Sequence, residues 1–213
     1  MNLLAEKLEK LNLLLNELGT VAVGFSGGVD SSFLAAAAQR VLGERAIAVT
    51  CDSETLAEWE RFDATEAARF IGIRHSFVAL NELDNAEFVR NDAQRCYYCK
   101  KGRFEALVDW ATARGLRWAL DGSNADDVGD YRPGMRAVNE LEKVRSPLLE
   151  VGLTKAEIRE ISRQWGLPTW NKPSAACLSL RVAYGQPITV EKLKQIEQAE
   201  LLIKQYCQGQ VRV

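Results

Sequence analysis

Thr20-Val-Ala-Val-Gly-Phe-Ser-Gly-Gly-Val-Asp-Ser-Ser32 is a short apolar run that breaks into a turn of glycines and hydroxyls and then enters an alanine-rich stretch, residues 30–42. The apolar run suits a buried strand, and the alanine-rich stretch suits a helix. Two adjacent glycines, Gly27 and Gly28, let the backbone turn tightly and present successive amides to one phosphate. The N-terminus of the following helix adds partial positive charge there. The hydroxyls of Ser26, Ser31 and Ser32 can donate to the same oxygens. The loop lacks the lysine of a Walker motif, so it is a phosphate cradle of another kind. A plain glycine turn with serine caps is the competing reading, and the full seven-residue string between strand and helix weighs against it.

Working outward, Leu4, Leu8, Leu11, Leu15 and Leu18 recur at helical spacing before Gly19, which predicts an amphipathic helix ended by glycine. Downstream, residues 45–51 form another apolar run. Residues 56–71 read as a helix with Trp59, Phe62, Ala67 and Phe70 on its apolar side. Residues 74–80 suit a third strand, residues 97–114 a helix, and residues 116–120 a further apolar run ending at Asp121. Strands alternating with helices of this length predict an α/β fold with a parallel sheet covered on both faces. Ligands of such sheets bind beyond the carboxyl ends of the strands. The two loops richest in Gly, Ser and Asp, after Phe25 and after Leu120, both begin where a strand should end.

Beyond Asp121 the pattern loosens, regains a helix over 154–165, breaks at Pro168 and Pro173, and closes with a helix over 190–206. Residues 210–213 resemble the start of a strand, so the chain is expected to stop short of a further segment. The expected division is a main α/β domain over 1–185 and the start of a smaller C-terminal region over 186–213.

Composition narrows the classes. With 213 residues, 47% hydrophobic and 26% charged, the chain buries a core without staples. Its longest apolar run falls far below the roughly 18 residues needed to span a bilayer, so no membrane attachment is expected. The leucine-rich start is interrupted by Glu6, Lys7, Glu9 and Lys10, unlike a signal peptide, and a cytoplasmic location is expected. A net charge of −2 supplies no global field for nucleic acid and favours a small-molecule substrate. Five cysteines, Cys51, Cys96, Cys99, Cys177 and Cys207, are odd in number and unevenly spaced, which argues for catalysis or metal binding rather than a disulfide framework.

Ser26-Gly-Gly-Val-Asp-Ser31 resembles the signature of PP-loop ATP pyrophosphatases, adenine nucleotide alpha hydrolase-like enzymes that cleave ATP between its α and β phosphates. The resemblance implies that Ser26, Gly27, Gly28, Asp30 and Ser31 hold pyrophosphate, with Mg²⁺ shared between the phosphates and a carboxylate. Asp121-Gly-Ser-Asn-Ala-Asp-Asp127 is similar to the second nucleotide and metal element of these enzymes, implicating Gly122, Asn124 and Asp127. Taken alone it would read as a polar turn.

Three further stretches decide among these enzymes: Arg95-Cys-Tyr-Tyr-Cys-Lys100, Asp130-Tyr-Arg-Pro-Gly-Met-Arg-Ala137 and Lys172-Pro-Ser-Ala-Ala-Cys-Leu-Ser-Leu-Arg-Val-Ala-Tyr-Gly185. With the first loop they resemble the LarE family across essentially the whole chain. These are ATP-dependent sulfur transferases that build the nickel-pincer nucleotide of lactate racemase. The resemblance implies adenylylation of a carboxylate of pyridinium-3,5-biscarboxylic acid mononucleotide, followed by displacement of AMP by sulfur. In one form of the family the Pro-Ser-x-x-Cys cysteine gives up its own sulfur. In the other, that cysteine and a Cys-x-x-Cys pair hold a 4Fe-4S cluster with one iron free. Cys177, Cys96 and Cys99 match the second form. The family also implies a homo-oligomer and contact with other cofactor-synthesis enzymes.

Three thiolates suit a cubane with one open iron, and two cysteines three apart at a helix start are expected to point the same way with lowered pKa values. Zinc is the rival metal, but the lone histidine, His75, leaves a closed four-ligand set incomplete. Ordinary burial of small residues is the bland alternative and the default for Cys51 and Cys207. Arg181, four residues beyond Cys177, and Arg132 and Arg136, around Pro133-Gly134, suit an anionic substrate through paired hydrogen bonds. Cys177 and Arg181 are the expected catalytic residues. Tyr97 and Tyr98 suit shielding of a cluster or stacking on a pyridinium ring. The rival functions are a tRNA thiolase and a protein that binds ATP without turnover.

Overall fold

The computed structural model describes residues 3–129, 133–174, 176–207, 209 and 211–213. The leucine stripe forms α1 (Leu3–Leu18), with Leu11, Leu15 and Leu18 buried and Gly19 beyond it in a left-handed conformation. There follow β1 (Val21–Gly24), α2 (Val29–Leu42), β2 (Ala46–Asp52), α3 (Glu58–Ile71), β3 (Arg74–Ala79), the single turn α4 (Ala86–Val89) and α5 (Arg95–Thr112). The second half runs through β4 (Trp118–Leu120), α6 (Pro133–Asn139), β5 (Val144–Arg145), α7 (Pro147–Glu150), α8 (Lys155–Gln164) and α9 (Val190–Lys204).

The five strands form one parallel sheet in the order β3-β2-β1-β4-β5, the expected α/β architecture. Val21 stands opposite Ala46 on one side and Trp118 on the other. The chain winds outward from β1 to β3, then returns to lay β4 against the free side of β1. The strand order therefore reverses between β1 and β4, and a crevice opens there at the carboxyl ends. Both loops singled out from the sequence leave the sheet at this point.

One face of the sheet packs Val21, Val23 and Ala48 with Phe33, Leu34, Ala37, Leu11, Leu15, Ile158 and Ile161. Full burial of leucines such as Leu34 stabilises by about 2 kcal/mol each. The other face packs Ala22, Val49 and Ala119 with Phe104, Leu107 and Ala111 of α5. A third cluster joins Ala57 and Phe88 to Leu178, Val182, Ile188 and Leu193, so residues beyond 185 pack directly against the first half of the chain.

The expected apolar face of α3 is corrected. Ala64, Ala67 and Ala68 face the core, whereas Phe62 and Phe70 are 66% and 59% exposed. The small side chains matter because α3 lies against the glycine loop: a Cβ on Gly27 would stand 2.9 Å from Ala64 Cα. A bulky core face would hold the helix off the loop. Residues 211–213, read as the start of a strand, have no regular structure, and residue 210 lies outside the described residues.

Candidate active site at the switch point

Gly27 has φ +66°, and its neighbour Gly28 is the N-cap of α2. The loop between them and Ser31 is internally bonded. Ser31 Oγ accepts from the Ser26 amide at 3.2 Å and shares a hydrogen bond with Ser26 Oγ at 3.1 Å, while Ser26 Oγ accepts from the Gly28 amide at 3.3 Å. Ser32 Oγ is fully buried with no hydrogen-bond partner among the described residues. Below the loop, the Thr50 hydroxyl donates to the Phe25 carbonyl at 2.7 Å. It thus accepts from Nε2 of His75, 2.8 Å away, whose pKa burial lowers. The lone histidine braces the end of β1.

Asp30 projects from the first turn of α2 and is held by Lys155, at the start of α8, and by Asn124 Nδ2 at 3.3 Å. Asn124 is fixed in turn: its amide donates to Asp127 at 2.9 Å and its side-chain oxygen accepts from the Asp126 amide at 3.0 Å. Asp121 pairs with Lys100 at 2.9 Å and accepts from the Ser123 amide. Gly122 backs onto the first loop, with an added Cβ 3.4 Å from the Ser31 amide nitrogen. The structure thus brings together Ser26, Gly27, Gly28, Asp30, Ser31, Ser32, Gly122, Asn124 and Asp127.

Two clefts meet on this loop and share Ser26, Gly28 and Asp30. One, of about 310 Å³, runs between β1 and β4 over Val49, Phe104 and Leu107 and is lined by Lys100, Arg103 and Asp121. The other, of about 450 Å³, is walled by Trp59, Glu60, Asp63, Lys155, Lys172, Arg181, Glu200 and Lys204. Lys172 donates to Asp63 at 2.8 Å and to the Gly27 carbonyl at 3.2 Å.

Cys96 and Cys99 lie in the first turns of α5, and Cys177 caps the 3₁₀ turn over 178–181. Cys99 Sγ donates to Glu82 Oε1 at 2.9 Å, and Cys177 Sγ lies 3.0 Å from Ser179 Oγ. Arg103 grips both Glu82 oxygens, at 2.9 and 3.0 Å, and donates to Thr55 at 2.7 Å. Burial pushes Glu82 up, but the Arg103 charge and the hydrogen bonds of Arg103, Cys99 and Thr55 outweigh it and bring the carboxyl to about 2. The expected lowering at Cys99 is corrected: burial, reinforced by Glu82 and Cys177, pushes its thiol well above the ordinary value, and the Arg103 charge opposes this only in part. Among the described residues no three His, Cys, Asp or Glu side chains converge on a single ion.

Arg181 is nearly buried. It pairs with the fully buried Glu200 at 2.7 Å and donates to the carbonyls of Ala176 and Cys177, the latter at 2.9 Å. In this arrangement it orients the Cys177 segment while lining the larger cleft. Arg136 is exposed on α6, bonded to Gln94 and stacked 4.3 Å from the Tyr97 ring centroid. Arg132 lies outside the described residues. Sequence reading missed Lys155, Lys172, Glu82, Arg103, Trp59 and Glu200. Lys172 opens the stretch that leads to Cys177, where the cysteine carried the signal; the others stand outside any motif and join the site only through the fold.

The fold and the loop at its switch point define a PP-loop ATP pyrophosphatase domain. The family model described as asparagine synthase matches residues 12–128. The chain is 33% identical, over 99% of its length and 76% of the relative, to pyridinium-3,5-bisthiocarboxylic acid mononucleotide synthase of Lactiplantibacillus plantarum. It is 43% identical, over 99% of its length and 78% of the relative, to an uncharacterized protein of Synechocystis sp.. It is also similar to a tRNA-specific 2-thiouridylase of Picosynechococcus sp., at 29% identity over 86% of the chain and 60% of the relative. The chain belongs to the LarE family, that of the Lactiplantibacillus synthase, and is an ATP-dependent sulfur-transferring enzyme. No described helix is long and apolar enough to cross a membrane.

Proposed function

We propose that this enzyme adenylylates a carboxylate of pyridinium-3,5-biscarboxylic acid mononucleotide and exchanges the AMP for sulfur, giving a thiocarboxylate for nickel-pincer nucleotide synthesis. The observation that carries this reading is the meeting of two clefts on Ser26, Gly28 and Asp30: one site for ATP and one for an acceptor, joined at the phosphates. The loop amides, the hydroxyls of Ser26 and Ser31, and the N-terminus of α2 hold the β and γ phosphates; the buried Ser32 hydroxyl lines neither cleft. Lys155 and Lys172 exchange their carboxylate partners for phosphate oxygens and stabilise the departing pyrophosphate. Asp30, Asp121 and Asp127 line the smaller cleft, and one of these carboxylates would share with the phosphates the Mg²⁺ carried with ATP. The acceptor carboxylate attacks the α phosphorus, pyrophosphate leaves, and sulfur then attacks the activated carboxyl carbon to release AMP.

Cys96, Cys99 and Cys177 are the residues that would hold a 4Fe-4S cluster. Three thiolates with one iron left open suit a cubane better than a closed four-ligand zinc site, since the lone histidine, His75, is bonded to Thr50 instead. Arg103 places a positive charge beside Cys99 and Cys177, which offsets the negative charge of thiolates. A cluster with an open iron would supply bound sulfide. Sacrifice of the Cys177 sulfur is the second reading, supported by the position of that thiol in the Pro-Ser-x-x-Cys segment. A homo-oligomer and contacts with other cofactor-synthesis enzymes also come with the family.

Reconstitution with iron and sulfide tests the source. The expected result is about four irons per chain with thiolate-to-iron charge-transfer absorption, lost in Cys96→Ala, Cys99→Ala and Cys177→Ala. No iron binding, with one sulfur lost from Cys177 per turnover, would establish the sacrificial route instead.

A further inference from the structure

Lys204 Nζ stands 3.6 Å from the centroid of the Trp59 ring, and both side chains line the larger cleft. The cleft's other cations are each held by a carboxylate: Lys155 by Asp30, Lys172 by Asp63 and Arg181 by Glu200. Among the described residues Lys204 has no carboxylate partner. Its ammonium rests instead on the negative face of the indole. A face that already carries one cation is suited to another, and a lysine on a flexible stem is easily displaced.

We infer that Trp59 recognises the cationic ring of the acceptor nucleotide, with Lys204 leaving the indole face to pair with an anionic group of the same molecule. The inference rests on the pyridinium acceptor of the proposed function and specifies how the cleft selects it.

Charge is conserved in this exchange. One positive group replaces another on Trp59, and the displaced ammonium gains the anionic partner it lacks in the free protein. Glu60 lines the same cleft outside these ion pairs and favours a cationic ring over a neutral base. Trp59 itself stays fixed because it packs against the third core cluster. Beside it, the Glu58 amide donates to Glu197 of α9 at 2.7 Å, which ties the helix carrying Lys204 to the helix carrying Trp59. Ser26 and Gly28 border the same cleft, so a ring seated on Trp59 lies in the chamber that opens onto the phosphates.

Calorimetric titration separates the two ideas, using nicotinic acid mononucleotide as the pyridinium probe and orotidine monophosphate as a nucleotide with carboxylate and phosphate but a neutral ring. Trp59→Leu is expected to weaken the pyridinium probe about tenfold while leaving the neutral-ring probe within about twofold. Trp59→Phe should fall between, and Lys204→Met should weaken both probes through loss of the anion contact. ATP affinity reports whether each variant is folded. Should Trp59→Leu not fold, Trp59→Phe decides, and an unchanged ratio of the two affinities overturns the inference. Equal binding of the pyridinium probe by the parent and Trp59→Leu also overturns it, and leaves the proposed function standing if the parent still releases pyrophosphate with the biscarboxylate nucleotide. A parent that binds no pyridinium nucleotide and releases no pyrophosphate overturns both.

Discussion

Lys172 reaches back 145 positions to the glycine loop, donating to the Gly27 carbonyl at 3.2 Å. The segment that leads to Cys177 is thereby tied to the phosphate cradle. Lys172→Met is expected to lower pyrophosphate release roughly 100-fold, because a positive charge at the departing phosphates is removed. Its pair with Asp63 is partly exposed, so stability should change by less than about 1 kcal/mol. Steady-state pyrophosphate release and urea unfolding measure the two effects; a wild-type rate would remove Lys172 from the chemistry.

Gly27→Ala should cost both fold and nucleotide binding. The residue is left-handed, and its new methyl would meet the Ala64 backbone, which has no rotamer to give way. Left-handed strain of about 1–2 kcal/mol plus the clash predicts a loss of about 2–4 kcal/mol. Thermal unfolding with and without ATP checks it: the variant should melt lower and gain little from the nucleotide.

Stability should fall in acid through Glu82. Its carboxyl protonates at about 2 in the folded chain against an ordinary value of 4.5. Between these values the unfolded chain holds the proton and the folded chain does not, so stability rises with pH there. The contribution is fully present above 4.5, amounts to about 3 kcal/mol, and is lost as pH falls toward 2. Urea unfolding across that range should show a shallower pH slope in Glu82→Gln than in the parent. Parallel slopes would mean that Arg103 does not hold the carboxylate.

Alkylation of the metal-free chain should proceed unevenly. Cys207 is exposed, whereas Cys99 is partly buried with its thiol pushed well above the ordinary value. Near pH 8, Cys99 should react with iodoacetamide about tenfold more slowly than Cys207 or slower still. Peptide mass spectrometry over time gives both rates, and rapid labelling of Cys99 would contradict the buried thiol.

The phosphate loop was legible because strand, turn and helix lie in one unbroken string around Gly27 and Gly28. The parallel sheet followed from the alternation of elements. β5 was not legible: it consists of Val144 and Arg145 alone, too short to show any periodicity, and its place beside β4 comes from tertiary pairing. The face of α3 was misread because hydrophobicity favours Phe62 and Phe70, whereas the fold needs alanines where the helix meets Gly27. Glu82, Arg103 and Lys155 carry no local signature, and Lys172 stands in a stretch whose signal was its cysteine. Charged residues read as surface until the sheet brings Glu82 against Cys99 and Lys172 against Gly27.

The most direct measurement follows oxygen-18 from a labelled carboxylate of the acceptor nucleotide during anaerobic turnover with ATP. Attack on the α phosphorus predicts one labelled oxygen in AMP for each thiocarboxylate formed, with none in pyrophosphate. AMP free of label, or label found in released phosphate, would contradict carboxylate adenylylation at this loop.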